Sequence, residues 1–497
     1  PNVVSISSAN ADALKLPSNQ RDFAPFGEIY DTFVGKVNYR LNDKNSGYVR
    51  YARFTNIQPN NASGLTIPDR GNDFHDYMNG GGAQLATVLS PTVLNELRYG
   101  VIQRTQSNQP VGKPNPYTAA VNISGVANIG YNPLQGTETT ELANQIVDNI
   151  TWTRNRSTLK AGIDWQRTNF DIFRARAATF TFGGLAASNG RPAVSALNQY
   201  LFTLAGNVDT ATSKPYTYTN FAQDGGDPTL NISFNFFNWF VQDEFRVTPR
   251  LTMNVGVRHE MILFPGLDPQ APYQLSRKID NDPRAIAPRF SFNYQASRSG
   301  KTVIRGAFGL FYDVPGLSTF YTAAQVNGRR FLSYQINGTD SRAPVFPNVP
   351  TLTDASLIVR PNITAFAPDY RNTYQIQGNL QVQQELLRNL VLTAGYNYAA
   401  QRHGLYTINV NLGAPVSFLA DGRPVYGTVR PNTQFNQINL VLSGANTNYN
   451  GLFINLQKRL SHGVLFQGTY TWSHALANNI GEGGAPSDPS NLRRDYG

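Results

Sequence analysis

His259 and Glu260 open the run His259-Glu260-Met261-Ile262-Leu263, which begins like the HExxH site of zinc proteases. Leu263 stands where that chemistry needs its second His, and the run lies in a stretch with the period of a strand, not of a helix. His75, His403, His462 and His474 are dispersed without ligand-like spacing, and cysteine is absent. Asp243 and Glu244 are adjacent on a strand and point to opposite faces, which makes them a poor acid/base pair. There is no GxSxG elbow, no P-loop and no GxGxxG between a strand and a helix. Gly80-Gly81-Gly82 reads as a flexible loop entering a strand. The expectation is a protein that is not an enzyme and holds neither a metal nor a cofactor.

What recurs is a pattern of faces. Over 237–260, Phe237, Trp239, Val241, Phe245 and Val247 share one side of a strand, with Asn238, Gln242, Glu244 and Arg246 on the other. After the turn at Thr248-Pro249-Arg250, Leu251, Met253, Val255 and Val257 alternate with Thr252, Asn254, Gly256, Arg258 and Glu260. Similar pairs of runs occur at 33–54, 84–104, 146–170, 290–312, 374–398 and 452–473. Seven hairpins imply about fourteen strands, and alternating runs of about ten residues joined by tight turns are the signature of an all-β, antiparallel transmembrane β-barrel. The short turns are expected at the periplasmic rim and the long connections outside the cell.

Composition agrees. Charged residues make up 15% of the chain, below the quarter or so usual in soluble domains, with 12% aromatic residues and a mean hydropathy of -0.35. No apolar stretch reaches the eighteen or so residues of a membrane-spanning helix, so any span must be made of strands. The net charge of +10 raises nucleic acid as a partner. Its arginines and lysines are scattered, not gathered in a stripe, so no nucleic acid is expected; basic segments are suited instead to lipid phosphates.

One face of such a sheet suits water and the other lipid. The residues expected to line the lumen are Arg98, Gln242, Glu244, Arg258, Glu260, Arg289, Asn293, Arg305, Gln377, Gln457 and Arg459, with the arginines positioned to pair with Glu96, Glu244 or Glu260. Those expected to face lipid are Trp165, Trp239, Val255, Phe292, Tyr396, Leu456, Tyr470 and Trp472. Lys458 and Asp243 share the lipid-facing parity; Lys458 can snorkel from its turn, and Asp243 calls for a bulge or a place near the periplasmic rim. The longest connections, 171–232, 314–372 and 401–449, are rich in Asn, Gly, Pro, Thr and Tyr and form either a ligand-contact surface or a simple seal.

The block 237–260, FNWFVQDEFRVTPRLTMNVGVRHE, resembles the barrel signature of TonB-dependent outer-membrane receptors, with His259 where an aromatic is more usual. PRFSFNYQASRSGKTVIRGAFGLFYD at 288–313 looks like the following hairpin in the Oar-like branch, and NYNGLFINLQKRLSHGVLFQGTYTWSHAL at 448–476 and the terminal NLRRDYG are similar to further blocks of it. Together these cover most of the chain after about Thr32.

The resemblance implies a receptor or transporter barrel in the outer membrane, partnered by outer-membrane lipid, by an extracellular substrate of unknown identity and, through an N-terminal part, by the TonB energy-transducing complex. It also implies 22 strands, a plug domain and a signal peptide. Because none of these N-terminal parts precedes Pro1, residues 1–30 read as a lead-in segment and 31–497 as a partial barrel that would not insert stably alone. A passive pore or an adhesive surface barrel is the alternative.

Overall fold

The computed structural model describes residues 2–17, 23–24, 27–60, 62–111, 119–132, 136–313, 316–461, 463–478 and 483–497. A 15-stranded sheet dominates it. Fourteen of its strands form an antiparallel meander, each paired with its neighbours in sequence: β1 Ile29–Arg40, β2 Asn45–Gln58, β3 Asn72–Ser90, β4 Val93–Pro110, β5 Glu138–Arg154, β6 Ser157–Phe173, β7 Thr229–Thr248, β8 Leu251–Leu263, β9 Ile286–Gln295, β10 Thr302–Tyr312, β11 Tyr374–Leu387, β12 Leu390–Asn409, β13 Gln437–Ser461 and β14 Val464–Ala477. The remaining strand, Asn362–Phe366, pairs in parallel with the far end of β13.

All seven expected hairpins form. A meander alternates rims, so the short turns share one rim and the long connections the other. Asn155 and Asn389 take the left-handed conformation these tight turns require, at φ of 54° and 71°. The turn expected at Ser461-His462 includes His462, which lies outside the described residues. Among the described residues no helix is long and apolar enough to cross a membrane.

The strands extend well past the lengths that alternation suggests. The twelfth and thirteenth strands continue through 401–409 and 437–449, where the sequence shows a loop-like mixture such as Ser443-Gly444-Ala445-Asn446. Ladder pairing persists there while the faces no longer divide between apolar and polar surroundings. Gly80-Gly81-Gly82, expected in a loop, lies in the middle of β3, paired with β2 and β4. Tyr51 stands directly opposite Gly81 on one side, and Val101 on the other lies nearest the space its missing Cβ leaves.

The long connections are not simple loops. Pieces of three of them, Ala120–Ile123, Ala127–Gly130, Ala178–Phe182, Asn220–Gly226 and Phe331–Asn337, build a separate five-stranded sheet. Its core packs Phe180, Phe182, Tyr218 and Phe221 in edge-to-face and tilted contacts 4.5–6.5 Å between centroids. Helix α1, Ala196–Leu204, closes one side of it, and Val4, Ile6 and Ala11 from the start of the chain are buried in the same core.

Candidate functional site: the polar face and its roof

Register assigns the expected site residues other than Arg459 to one of two faces. Arg98 stands opposite Val147, Val147 opposite Asp164, and Asp164 opposite Asn238, on the parity of Gln242 and Glu244. Arg258 and Glu260 stand opposite Phe240 and Asn238, Arg289 opposite Gly256, Asn293 opposite Thr252, Arg305 opposite Asn293 and Gln377 opposite Gly309. Gln457 continues that face on β13, with Arg459 following at the turn. The same ladders place Trp165, Trp239, Val255, Phe292, Tyr396, Leu456, Tyr470 and Trp472 on the opposite face. Six of those eight are exposed; Phe292 and Leu456 are half-buried.

The polar face concentrates charge at its centre. Arg258 Nε lies 2.7 Å from Glu260 Oε1, and its Nη2 lies 3.9 Å from Asp164 Oδ2. Arg289 reaches the same Glu260 oxygen at 3.8 Å and stacks its guanidinium 4.5 Å from the centre of the Phe311 ring. A cavity of about 360 Å³ opens beside this group, lined among others by Gln166, Asn238, Arg258, Glu260, Asp313 and Asn372. A second, of about 280 Å³, is bordered by Gln242, Asn254, Arg289, Phe311, Gln377 and Asn379.

Further along, uncharged amides take over. Gln375, Gln377, Asn379, Gln381 and Gln383 alternate down β11, and Arg305 Nη1 donates to Gln383 Oε1 at 2.7 Å instead of meeting a carboxylate. Arg98 pairs with Glu96 at 3.2 Å as expected. Glu244 and Arg459 make no ion pair among the described residues. They lie toward the short-turn rim, where both side chains are exposed.

His259 and Glu260, neighbours on a strand, point to opposite faces. His259 stacks on Trp239 at 5.9 Å on the apolar side and contacts the Pro283 carbonyl at 2.9 Å through Nε2, while Glu260 faces the arginines. Asp243 shares the apolar side, close to the short-turn rim, where Ser157 Oγ donates to its Oδ1 at 2.5 Å; the expected bulge falls just beyond it, between Arg246 and Thr248.

Above the charged group the polar face turns apolar. Phe170, Ile172, Leu230, Ile232 and Phe234 continue the parity of Gln166 and Asn238, and they are buried under helix α2, Leu317–Gln325, with Phe320, Ala323 and Ala324, and under Phe366 and Tyr370. The connections thus fold over the polar face, not away from it. Asp268, Arg329, Arg330 and Asp227 tie three of them together. The Arg329 guanidinium, helped by Asn327 and the Gln270 N–H, holds Asp268 down to about 2. Sequence reasoning missed this roof because its apolar residues are spread over segments far apart in the chain.

A family model described as "Outer membrane beta barrel domain" matches residues 4–497. A sequence search of curated proteins finds no match. Among solved structures, the outer membrane transporter YddB from Escherichia coli is similar at a TM-score of 0.61 and 9% identity, over 91% of this chain and 49% of that one. The FrpB iron transporter from Neisseria meningitidis (F3-3 variant) is similar at a TM-score of 0.50 and 10% identity, over 90% of this chain and 52% of that one. The chain spans about half the length of these two structures.

Proposed function

We propose that this chain, which belongs to the outer membrane β-barrel domain family, forms substrate-binding barrel wall in a TonB-dependent receptor or transporter of the Oar-like branch. In this reading the polar face lines the lumen, the apolar face meets outer-membrane lipid, and the folded connections form the extracellular receptor surface. No residue acts as a catalyst, and no cofactor or metal takes part. Energy would come from the TonB complex through parts of the protein outside this chain.

The observation that carries the reading is the charged group Arg258–Glu260–Arg289 with Asp164, set on the polar face directly below the α2 roof. A bare pore has no need of a built roof over its polar wall, whereas a receptor that captures a scarce solute does. The fold likeness to outer membrane transporters supports the same choice.

The experiment is conductance in a planar bilayer. The complete protein should hold its bilayer nearly silent, and deletion of tonB in cells should abolish uptake of the solute whose depletion from the medium depends on this gene. Steady open conductance with TonB-independent uptake would favour the passive pore.

A further inference from the structure

All four tryptophans, Trp152, Trp165, Trp239 and Trp472, lie on the apolar face. Trp152 borders a groove. Val93, Ile150, Trp152, Leu159 and Ala161 line an apolar cavity of about 280 Å³ across strands β4, β5 and β6. The registers explain it: Val93, Trp152 and Leu159 form one row across the three strands, and Ile150 and Ala161 stand side by side in the next position up. Ala161 ends at its methyl group where its neighbours carry large side chains, so the row has a gap.

Arg154 stands at the groove's open end. It shares the face of Trp152, sits two residues closer to the short turn, and holds its guanidinium 5.9 Å from the centre of the Trp152 ring. It is exposed and makes no ion pair among the described residues. The carboxylate on the far side of Leu159, Asp243, is engaged by Ser157 Oγ, and Asp148, higher on the face, accepts from Asn95 Nδ2 at 2.7 Å. Arg154 is thus the cation at the mouth of the groove, whose lining is hydrocarbon.

We infer that this groove binds one anionic phospholipid of the inner leaflet, with an acyl chain along Val93, Ile150, Leu159 and Ala161 and the headgroup phosphate on Arg154. Short turns lie on the periplasmic side, so the groove opens at the depth of inner-leaflet headgroups, and tryptophan at that depth suits the membrane interface. A cation on an apolar stem lies where a lipid phosphate would be, with no carboxylate paired to it among the described residues. The inference rests on the lipid-facing assignment of the apolar side.

The test uses the protein in nanodiscs of phosphatidylcholine doped with phosphatidylglycerol. Retained lipid is read by native mass spectrometry, and tryptophan quenching by brominated phosphatidylcholine is read in parallel. The wild type should retain one phosphatidylglycerol with a preference of about fivefold over phosphatidylcholine. Arg154→Gln should erase the preference, Ala161→Phe should abolish retention of either lipid, and Arg388→Gln, on a distant turn of the same rim, should change nothing. Because Ala161→Phe could disturb folding, Arg154→Gln carries the decision by itself. An unchanged preference in Arg154→Gln, or an equal loss in Arg388→Gln, overturns the groove. If Trp165 and Trp239 are quenched while the variants behave as wild type, only the groove fails; if neither is quenched, the facing assignment fails with it.

Discussion

Asp268 and Arg329, from two different long connections, meet in a bidentate pair, Nε to Oδ2 at 2.7 Å and Nη2 to Oδ1 at 3.0 Å. Asp268 is buried, its pKa lies near 2, and buried Asn327 donates to the same carboxylate at 3.1 Å. The pair fastens the roof over the polar face. A carboxylate whose folded value lies below its unfolded one stabilises the fold above the unfolded value and loses that contribution as pH falls through the folded value. The roof should therefore hold at neutral pH and loosen as pH falls from about 4 toward about 2. Asp268→Asn should cost about 2 kcal/mol of roof stability at neutral pH and flatten that acid transition. Limited proteolysis of the roof across a pH series reads both effects, and an unchanged acid transition in the variant would count against the role.

Val255 and Asn254 are adjacent on β8 and face opposite ways. Val255→Arg should cost roughly 2 to 4 kcal/mol of folding stability in bilayers if the site is near the midplane, and Asn254→Arg far less. Urea unfolding into lipid vesicles measures the difference. Equal costs would contradict the division of faces.

Three tyrosines on the apolar face donate to an asparagine on the next strand, one diagonal step toward the long-connection rim. Tyr51 reaches Asn79 at 2.8 Å, Tyr99 reaches Asn144 at 2.9 Å and Tyr396 reaches Asn450 at 2.6 Å. Such pairs shield a phenol and an amide that lipid would otherwise leave unsatisfied. A double-mutant cycle of Tyr396→Phe with Asn450→Ala should show coupling of about 1 kcal/mol. Additive single effects would mean the hydroxyl is satisfied by interfacial water.

Gly395 stands opposite Phe453 on the polar face, and a Cβ added to it would come within 2.5 Å of the ring. Gly395→Val should destabilise by about 1 to 3 kcal/mol, and Phe453→Ala in the same chain should relieve part of that cost. Chemical unfolding of the single and double variants checks the pairing.

The membrane-spanning part was legible because a strand between lipid and water must alternate. Phe237 to Glu260 states both faces outright, and every hairpin found by that rule forms. Legibility ended where surroundings stopped differing across the sheet. The outer ends of β12 and β13 and the triple glycine of β3 are held by ladder bonds that leave no periodic trace, so they read as loops. The separate five-stranded sheet was invisible for a different reason: Phe180, Phe221 and Ile336 become neighbours only through long-range pairing. Of the charged group, Arg258, Glu260 and Arg289 were legible from parity, whereas Asp164 was not singled out because only the register of β6 on β7 brings it to them.

The chain contains no cysteine, so single cysteines can report on each surface without background. The most direct test places one in turn at Val429 in a long connection, Ser299 in a short turn, Asn254 and Val255, and labels intact cells with a membrane-impermeant maleimide. Val429→Cys should react at once, and Ser299→Cys only after the outer membrane is permeabilised. In purified, reconstituted protein Asn254→Cys should react with the water-soluble reagent, while Val255→Cys should react only with a lipid-soluble one. Labelling of Ser299→Cys in intact cells, or equal water-side reactivity of Asn254→Cys and Val255→Cys, would contradict the account of a barrel wall with a wet face inside and an apolar face in lipid.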